Sequence, residues 1–291
     1  MINYRRKRYR RVESHNPAES TLAVREEGQL GQEPTIHKRF EGKSVLVTGA
    51  GTGFGSALAY RAAQEGARVG VHYNRSRQGA EATASRIEAI GRPASLFQAD
   101  ISSWEAVKAM AEAVFEAFGG LDVLVNNVGD VATEQMSWRD VNQETIDRVI
   151  DVDIKGTMYM HHEFGTRMLD QGWGSIINVG STVIVRGSPR APQYAAGKYG
   201  VLGLTKSYAN AFAPTVRVNA FAPGFMETDA TLAREDWNTG RRERLIAATP
   251  AGRIPPPEDL AAAALFLATD DAAHMIGNYL IADGGYNMIG A

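Results

Sequence analysis

The chain has 291 residues, 44% of them hydrophobic, with a formal net charge of −2 at pH 7 and no cysteine. This length and composition suit one α/β domain with a single substantial core, and the near-neutral charge excludes a general affinity for nucleic acid or acidic membranes. The lack of cysteine excludes disulfides, thiolate catalysis and cysteine-ligated metal, and no apolar run approaches the ~20 residues of a membrane span. We therefore expect a cytoplasmic protein with no metal ligands and with neither nucleic acid nor membrane as a partner.

The first 40 residues differ in composition from the rest of the chain. The segment Arg5-Arg-Lys-Arg-Tyr-Arg-Arg11 is densely basic, and the polar stretch that follows it has no apolar periodicity. Such a segment cannot bury enough apolar surface to pack on a core. We predict a flexible basic and polar N-terminal tail at residues 1–40, followed by one domain at residues 41–291. The basic cluster either binds a partner or is simply solvated, and both interpretations stay open.

The predicted domain opens with a strand, a glycine turn and a helix. Residues 43–48 are a short apolar run typical of a buried parallel strand, and Gly49-Ala-Gly-Thr-Gly53-Phe-Gly55 follows directly. An alanine-rich helical pattern then covers residues 54–65 and stops at Gly66. Glycines let the backbone approach a pyrophosphate, and the helix N-terminus offers it free N–H groups. This context predicts a dinucleotide site, whereas the glycine motif alone could be an ordinary turn.

The rest of the domain alternates strands and helices. Further strands are predicted at residues 68–72, 94–99, 121–126, 174–180, 215–221 and 279–282, and helices at residues 78–90, 104–118, 143–169, 190–212 and 258–269. This alternation predicts an α/β fold, a single Rossmann-type doubly wound parallel sheet with helices on both faces. A ligand should then lie beyond the carboxyl ends of the strands, where the strand order reverses.

The end of the second predicted strand bears on the choice of nicotinamide cofactor. An acidic residue there would bind the ribose hydroxyls of NAD, but the chain reads Val71-His-Tyr-Asn74-Arg75-Ser76 and offers no carboxylate. A guanidinium and a hydroxyl suit the 2′-phosphate of NADP instead. We therefore expect NADP(H) to be preferred, with NAD(H) possible, unless Arg75 is only an exposed loop residue.

Tyr194 and Lys198 lie four residues apart in a predicted helix, and Ser181 precedes Tyr194 by thirteen residues. Four residues are about one helical turn, so the two side chains share a face. A phenol normally titrates near pH ~10, and an ammonium one turn away favours phenolate and lowers that pKa. The pair can then exchange a proton with an alcohol or ketone while Ser181 hydrogen-bonds the substrate oxygen. Taken alone, such a pair is also found as a surface tyrosine packed on a lysine stem.

In their order along the chain, these motifs resemble those of the short-chain dehydrogenase/reductase family, and most closely its 3-oxoacyl-carrier-protein reductase-like members. The matching segments are Thr48-Gly-x-x-x-Gly53-x-Gly55, Asp100-Ile101, Asn126-Asn-Val-Gly129, Ser181 with Tyr194 and Lys198, Asn219, Pro223-Gly-Phe-Met-Glu-Thr228 and Asp283-Gly-Gly285. The resemblance implies that Ser181, Tyr194 and Lys198 are catalytic. It implies a cofactor-binding set that comprises Gly49, Gly53, Phe54, Gly55, Asn74, Arg75, Ser76, Asp100, Ile101, Asn127, Gly129, Tyr194, Lys198, Pro223, Gly224, Met226 and Thr228.

One position departs from the pattern of the family. Where members carry an asparagine that holds a water beside the lysine, this chain has Asp153, in Ile150-Asp-Val-Asp153. The resemblance attributes the water contact to the backbone carbonyl, which an aspartate also supplies. An additional buried carboxylate would alter the electrostatics around Lys198. We assign Asp153 to the catalytic set, although a shift of the alignment would place Asp151 there.

The resemblance implies an NAD(P)-dependent oxidoreductase that interconverts a ketone and a secondary alcohol, reducing a small-molecule carbonyl with NADPH. One alternative is a 3-oxoacyl-thioester reductase acting on a carrier protein. Gly172 and Pro214 replace the arginines that would hold the carrier, although Arg167 and Arg217 lie nearby. An alternative of another class is a non-catalytic nucleotide-binding relative. The family also implies a homotetramer built on the helices at residues 143–169 and 190–212 and on the last strand.

Overall fold

The structure, a computed structural model, describes residues 37–129 and 137–288. Within these residues seven strands form one parallel sheet in the order β3-β2-β1-β4-β5-β6-β7. The strands are β1 Ser44–Val47, β2 Arg68–Tyr73, β3 Ala94–Gln98, β4 Val123–Asn126, β5 Gly174–Val179, β6 Val216–Pro223 and β7 Tyr279–Ala282. Every predicted strand is therefore confirmed, with ends that differ from the prediction by no more than a few residues.

The helices cover both faces of the sheet, as predicted. They are α1 Gly53–Gln64, α2 Arg77–Glu88, α3 Trp104–Phe118, α4 Gln143–Val149, α5 Thr157–Met160, α6 Thr166–Gln171, α7 Val183–Arg186, α8 Pro192–Phe212, α9 Asp229–Leu232, α10 Arg242–Ala248 and α11 Pro257–Phe266. Helices α1, α2 and α11 share one hydrophobic core with the sheet. The second core joins α3, α5, α6 and α8 to the opposite face. This arrangement is the doubly wound fold.

Local sequence signals set several of these elements. The four residues of β1 are all buried, as expected of a central strand covered on both faces. Helix α3 begins where the Ser103 side chain accepts a hydrogen bond from the Ala106 N–H, and it ends at Gly119 in the left-handed conformation. Helix α8 has Pro192 in its first turn, where a missing N–H costs no hydrogen bond.

The strand order reverses between β1 and β4. Strands β2 and β3 lie on one side of β1, whereas β4 to β7 extend on the other. The loops that follow β1 and β4 therefore diverge and leave a crevice at the carboxyl edge of the sheet, which is where such folds bind nucleotides. All the cofactor motifs that the sequence analysis identified follow strands at this edge.

The long helix predicted at residues 143–169 is interrupted. Helix α4 passes into a π-helical segment, Ile150–Gly156, and a second π-helical segment, His161–Gly165, separates α5 from α6. The interruption was not predicted, because π-turns change the hydrogen-bond register without breaking the apolar pattern. The first π-helical segment carries Asp153, whose side chain is buried.

The compact part of the chain begins before the predicted boundary at residue 41. Phe40 is 2% exposed, and its N–H donates to the Glu65 carbonyl. The Arg39 guanidinium forms two hydrogen bonds, of 2.5 and 2.6 Å, with the buried Glu65 carboxylate. Residues 37–40 thus belong to the domain, and the rest of the predicted tail, with its basic cluster, lies outside the described residues.

Three short helices were not predicted. Helices α7, α9 and α10 follow β5 and β6, and their four to seven residues are too few to show a helical period. Among residues 37–129 and 137–288, no helix is long and apolar enough to cross a membrane.

Candidate active site

The glycine turn after β1 has the backbone that a dinucleotide site requires. Gly49 and Gly53 have φ values of +64° and +52°, a region that side chains rarely tolerate. A Cβ atom at Gly55 would lie 2.2 Å from the Gly49 carbonyl oxygen, so the turn can close onto α1 only with glycine there. Thr52, at the N-terminus of α1, makes no side-chain cap, which leaves N–H groups of the first turn available to an anion.

Thr48 joins this turn to the segment that follows β4. Its hydroxyl accepts hydrogen bonds from the N–H groups of Asn127 and Val128 at 2.8 and 3.1 Å. The Asn127 side-chain amide donates to the Thr48 carbonyl at 2.9 Å. These hydrogen bonds therefore tie the ends of β1 and β4 together at the point where the two loops begin. Thr48 was not among the predicted site residues.

A cavity of about 990 Å³ extends from the glycine turn along the carboxyl edge of the sheet. Asn74, Arg75 and Ser76, which belong to the predicted cofactor set, line it and are exposed. Asp100 lines it as well, and hydrogen bonds from Ser102 hold the pKa of this carboxyl below its usual range. No carboxylate follows β2 before this loop ends at Ser76.

Two residues of the predicted cofactor set turn their side chains away from the cavity. Phe54 is 7% exposed and its ring stacks on Phe221, with 5.9 Å between the centroids. Ile101 is 5% exposed and packs beside Gly156, where an added Cβ would lie 3.0 Å from its side chain. Only the backbone of Phe54 and Ile101 is therefore placed to meet a ligand.

The side chain of His72, in β2, hydrogen-bonds the two segments that follow β1 and β3. Its Nδ1 accepts the Gly49 N–H at 3.0 Å, and its Nε2 lies 3.1 Å from the Ala99 carbonyl oxygen. Burial lowers the pKa of His72 to about 4, so the imidazole is neutral at pH 7 and its Nε2–H donates to Ala99. His72 thus ties the glycine turn to the residue before Asp100. A histidine at the penultimate position of a buried strand was the only signal for this role in the sequence.

Three of the four predicted catalytic residues lie on α8 or directly after β5. Ser181 follows β5, and its hydroxyl oxygen accepts the Val183 N–H at 3.2 Å. Tyr194 and Lys198 lie one turn apart on α8, with the Lys198 ammonium 5.8 Å from the centre of the Tyr194 ring. Lys198 also points back towards β5, because its Nζ donates to the Val179 carbonyl at 3.4 Å.

Asp153 lies directly against the buried lysine. Its carboxylate is 2.8 Å from the Lys198 Nζ, and the two side chains are 0% and 4% exposed. Burial pulls the pKa of Lys198 down, but the charge and hydrogen bond of Asp153, together with the nearby Tyr194 and Tyr279, outweigh burial and the pKa ends above its usual value. Asp151 instead lines the cavity, half-exposed, and pairs with Lys155 at 2.7 Å. The structure therefore places Asp153 rather than Asp151 beside the lysine.

Gly129 explains how the loop after β4 can pass so close to this pair. A Cβ atom there would lie 2.3 Å from the Lys198 Nζ and 3.0 Å from an Asp153 carboxylate oxygen. A glycine is thus the residue that lets the loop contact the ammonium, which links the cofactor segment to the catalytic pair.

The segment after β6 lies across from the glycine turn. The Pro223 carbonyl accepts the Thr182 N–H at 3.4 Å, and the Gly224 N–H donates to Ala282 at 2.9 Å. A Cβ at Gly53 would lie 3.6 Å from the Thr228 methyl group, so these two loops face each other. Met226, from the same segment, packs against the core of the α1 face. The turn and this segment together flank the carboxyl ends of β1 and β6.

Two further side chains at this edge have structural partners. Asn219 donates to the Met275 carbonyl at 2.7 Å and accepts the Asn278 N–H at 3.0 Å, so it braces the approach to β7. Tyr279, in β7, hydrogen-bonds the backbone of Ser181. No motif of the sequence pointed to Tyr279, because its position depends on the register between β6 and β7.

Comparison with known proteins agrees with this geometry. The sequence profile of a family described as Enoyl-(Acyl carrier protein) reductase matches residues 49–287. The 3-oxoacyl-[acyl-carrier-protein] reductase of Staphylococcus aureus is 39% identical over 247 residues, which cover 84% of this chain and 98% of the relative. The chain belongs to the short-chain dehydrogenase/reductase family. It is accordingly an oxidoreductase, as the sequence motifs predicted.

Solved structures of short-chain dehydrogenases share the whole fold. A putative short-chain alcohol dehydrogenase from Sinorhizobium meliloti superimposes with a TM-score of 0.80 at 33% identity, covering 87% of this chain and 98% of that one. A short chain dehydrogenase from Burkholderia cenocepacia, solved in complex with NADP, gives a TM-score of 0.78 at 32% identity, covering 86% and 99%. The predicted fold class is confirmed.

Proposed function

We propose that the protein reduces a small-molecule ketone to a secondary alcohol with NADPH. The observation that carries the proposal is the position of the Lys198 ammonium, 5.8 Å from the centre of the Tyr194 ring and 3.4 Å from the Val179 carbonyl, two residues before Ser181. The proposal gives Ser181, Tyr194 and Lys198 catalytic roles. The membership of the chain in a family of dehydrogenases and reductases supports it.

Each catalytic side chain has a chemical task in this proposal. The Ser181 hydroxyl accepts the Val183 N–H and so keeps its own proton for a hydrogen bond to the carbonyl oxygen. The Tyr194 phenol gives its proton to that oxygen, and the Lys198 ammonium stabilises the phenolate that remains. When bound, a reduced nicotinamide supplies the hydride that reaches the carbonyl carbon.

The residues around the cavity fit a dinucleotide. The turn with Gly49, Gly53 and Gly55 and the N-terminus of α1 would hold the pyrophosphate. The backbone at Asp100 and Ile101 would meet the adenine ring, and Asn127 and Gly129 would line the path to the catalytic pair. The nicotinamide would rest against the segment that contains Pro223, Gly224, Met226 and Thr228.

NADP(H) is the cofactor that the exposed loop after β2 favours. Arg75 and Ser76 line the cavity and can hydrogen-bond a 2′-phosphate, and no carboxylate stands in this loop to accept ribose hydroxyls. The related Burkholderia cenocepacia enzyme was solved with NADP, which supports the same preference. NAD(H) remains a possible weaker cofactor.

Asp153 is the residue through which this site differs from the family pattern. Its contact with Lys198 keeps the ammonium charged within a buried site and offsets part of its field at Tyr194. Asp153 therefore acts through Lys198.

A second candidate function is the reduction of a 3-oxoacyl thioester on a carrier protein. It is favoured by the reductase of Staphylococcus aureus, whose name states that activity. The two arginines near the expected docking positions are engaged within the subunit, however. Arg217 donates to the carbonyls of Leu267, Thr269 and Ala272, and Arg167 pairs with Glu163 at 2.8 Å. We therefore prefer a free small molecule as the substrate.

The proposal includes a cytoplasmic homotetramer. Four large apolar side chains on the helices of one face, Ile146, Ile150, Met158 and Tyr199, are 42–51% exposed and could pair with a second copy. Val149, His161 and Val201 on the same helices are buried within the subunit and are not available for this. Light scattering on the purified protein tests the assembly, and a fully active monomer at micromolar concentration would contradict it. Cell fractionation tests the location.

A panel of substrates tests the function directly. NADPH oxidation should be followed with cyclic, aliphatic and aromatic ketones and with a 3-oxoacyl thioester, each also with NADH in place of NADPH. We expect turnover of at least one free ketone with NADPH. Turnover of the thioester alone would favour the carrier-protein alternative. Tight NADPH binding without turnover of any ketone or of the thioester would favour a non-catalytic nucleotide-binding relative, even though Ser181, Tyr194 and Lys198 are all present.

A further inference from the structure

The hydroxyl of Tyr279 forms two hydrogen bonds with the backbone of Ser181, which we call the clasp. The Ser181 N–H donates to the Tyr279 oxygen at 3.0 Å, and the Tyr279 hydroxyl donates to the Ser181 carbonyl at 2.9 Å. The two residues are 98 positions apart in the sequence. One phenol thus satisfies both polar backbone groups of a proposed catalytic residue.

The bonds to β6 pass Ser181 without involving its own backbone groups. The pairing of β5 with β6 ends at Val179 opposite Phe221, and beyond it the N–H groups of Gly180 and Thr182 donate to the carbonyls of Phe221 at 2.7 Å and of Pro223 at 3.4 Å. Helix α7, which follows, has only four residues. Without Tyr279 the Ser181 N–H would lose its partner and would need water to satisfy it. The Ser181 carbonyl would keep only the long hydrogen bond from the Ile184 N–H, at 3.4 Å.

The neighbouring glycine is shaped to admit the phenol. A Cβ atom at Gly180 would lie 2.3 Å from the Tyr279 hydroxyl oxygen and 2.9 Å from the ring carbon that bears it. A side chain at Gly180 would therefore displace the Tyr279 phenol. Glycine at this position lets the rigid aromatic ring pack against the loop that carries Ser181.

We propose that Tyr279 is a positioning residue that fixes the backbone of Ser181, so that the serine hydroxyl faces the substrate oxygen. The inference rests on the proposed function, in which Ser181 holds that oxygen. Tyr279 does not replace Tyr194 as proton donor, because its single hydroxyl proton is already given to the Ser181 carbonyl. Burial raises the pKa of Tyr279 to about 12, which keeps that proton in place through the neutral range.

The variant Tyr279→Phe removes both hydrogen bonds and keeps the ring. We expect kcat to fall about tenfold, as the loss of two neutral hydrogen bonds predicts, while the dissociation constant for NADPH stays within about twofold. Tyr60→Phe is the matched control, since Tyr60 lies on α1, where its ring contacts the Arg86 guanidinium of α2 and not Ser181. Tyr60→Phe should leave kcat unchanged.

A double-mutant cycle separates positioning of Ser181 from a general structural role. In a Ser181→Ala background, Tyr279→Phe should lower the remaining kcat by less than about twofold, because the group that it positions is gone. An equal loss in both backgrounds would overturn the inference, since it would show that Tyr279 does not act through Ser181.

Amide hydrogen exchange tests the clasp without any substrate. In the unmutated protein the Ser181 N–H should be protected, and Tyr279→Phe should raise its exchange rate by about tenfold or more, whereas Tyr60→Phe should not. Faster exchange in a protein that reduces no ketone would uphold the clasp and reject the proposed function. An unprotected Ser181 amide in the unmutated protein overturns the clasp, whatever Tyr279→Phe does to folding.

Discussion

At the residue scale, the loop after β2 gives the most direct test of cofactor choice. Arg75 is exposed on the cavity wall, so a charge-assisted bond to a 2′-phosphate is available to it. Arg75→Ala should weaken NADPH binding by about tenfold to a hundredfold and leave NADH binding almost unchanged. Fluorescence titration of both cofactors measures this. Arg77→Ala is the control, because Arg77 pairs with Glu81 at 2.8 Å outside the cavity lining. Equal weakening of both cofactors by Arg75→Ala would mean that the arginine is structural.

The contact between Asp153 and Lys198 leads to a second prediction at this scale. Reduction needs the Lys198 ammonium beside Tyr194, so its rate falls as the pH rises through the pKa of Lys198. Asp153→Asn removes a charge that raises the pKa of Lys198, and burial then lowers that pKa. The alkaline limb of kcat/KM should move to lower pH by about one unit.

The control for this change is Asp151→Asn. Asp151 lies two residues away on the same π-helical segment, but it lines the cavity and pairs with Lys155 rather than with Lys198. Its substitution should leave the pH profile in place. An unmoved alkaline limb in Asp153→Asn, or the same shift in both variants, would remove Asp153 from the catalytic group.

At the scale of elements, the loop after β4 fixes the space around the lysine. Gly129→Ala would put a Cβ 2.3 Å from the Lys198 Nζ, and the flexible end of that side chain would have to move. We expect kcat to fall by about 10- to 100-fold, because a displacement of about 1 Å is enough for a loss of that size. The melting temperature should change little, since the displaced atoms end a side chain.

Gly203→Ala is the matched control for this substitution. Gly203 lies on α8, the helix of Lys198, and an added Cβ there meets no atom within 4 Å. This variant should keep full activity. If Gly129→Ala were as active as Gly203→Ala, the close approach of the loop to the ammonium would have no catalytic importance.

The elements also show what the sequence could and could not reveal. The seven strands were predictable because each is a short apolar run, and the turn after β1 because its glycines have one structural use in that context. The π-helical turns were not predictable, since Asp153 and its neighbours keep a helical pattern through them. The partners of Ser181 and of His72 depend on pairing between strands distant in the sequence, which no local pattern records.

At the scale of the whole molecule, residues 37–40 connect the start of the described chain to the core. Deleting residues 1–40 removes Phe40 from the core and Arg39 from the buried Glu65, whereas deleting residues 1–36 keeps both. The longer truncation should be less stable than the shorter by about 3–5 kcal/mol, the usual cost of removing a buried phenylalanine. Chemical denaturation of the two proteins measures the difference. Equal stabilities would show that Phe40 and Arg39 contribute nothing to the fold.

The position of the predicted tail illustrates the limit of composition as a guide. The basic and polar character of the first 40 residues pointed to one unpacked segment, yet Phe40 at its end is buried. A single aromatic residue and a single arginine are too few to alter a compositional average. Their burial depends on Glu65, which lies at the end of α1 and is close to them only in the folded protein.

The most direct test of the proposed chemistry is the substitution Tyr194→Phe, which removes only the hydroxyl that donates the proton. With a ketone that the panel identifies, kcat should fall by at least about 10²-fold, and NADPH should bind within about twofold of the parent affinity. The control is Tyr60→Phe, which removes the hydroxyl of a tyrosine on α1 and should retain full activity. A Tyr194→Phe enzyme whose kcat stays within about tenfold of the parent would contradict the assignment of Tyr194 as the proton donor.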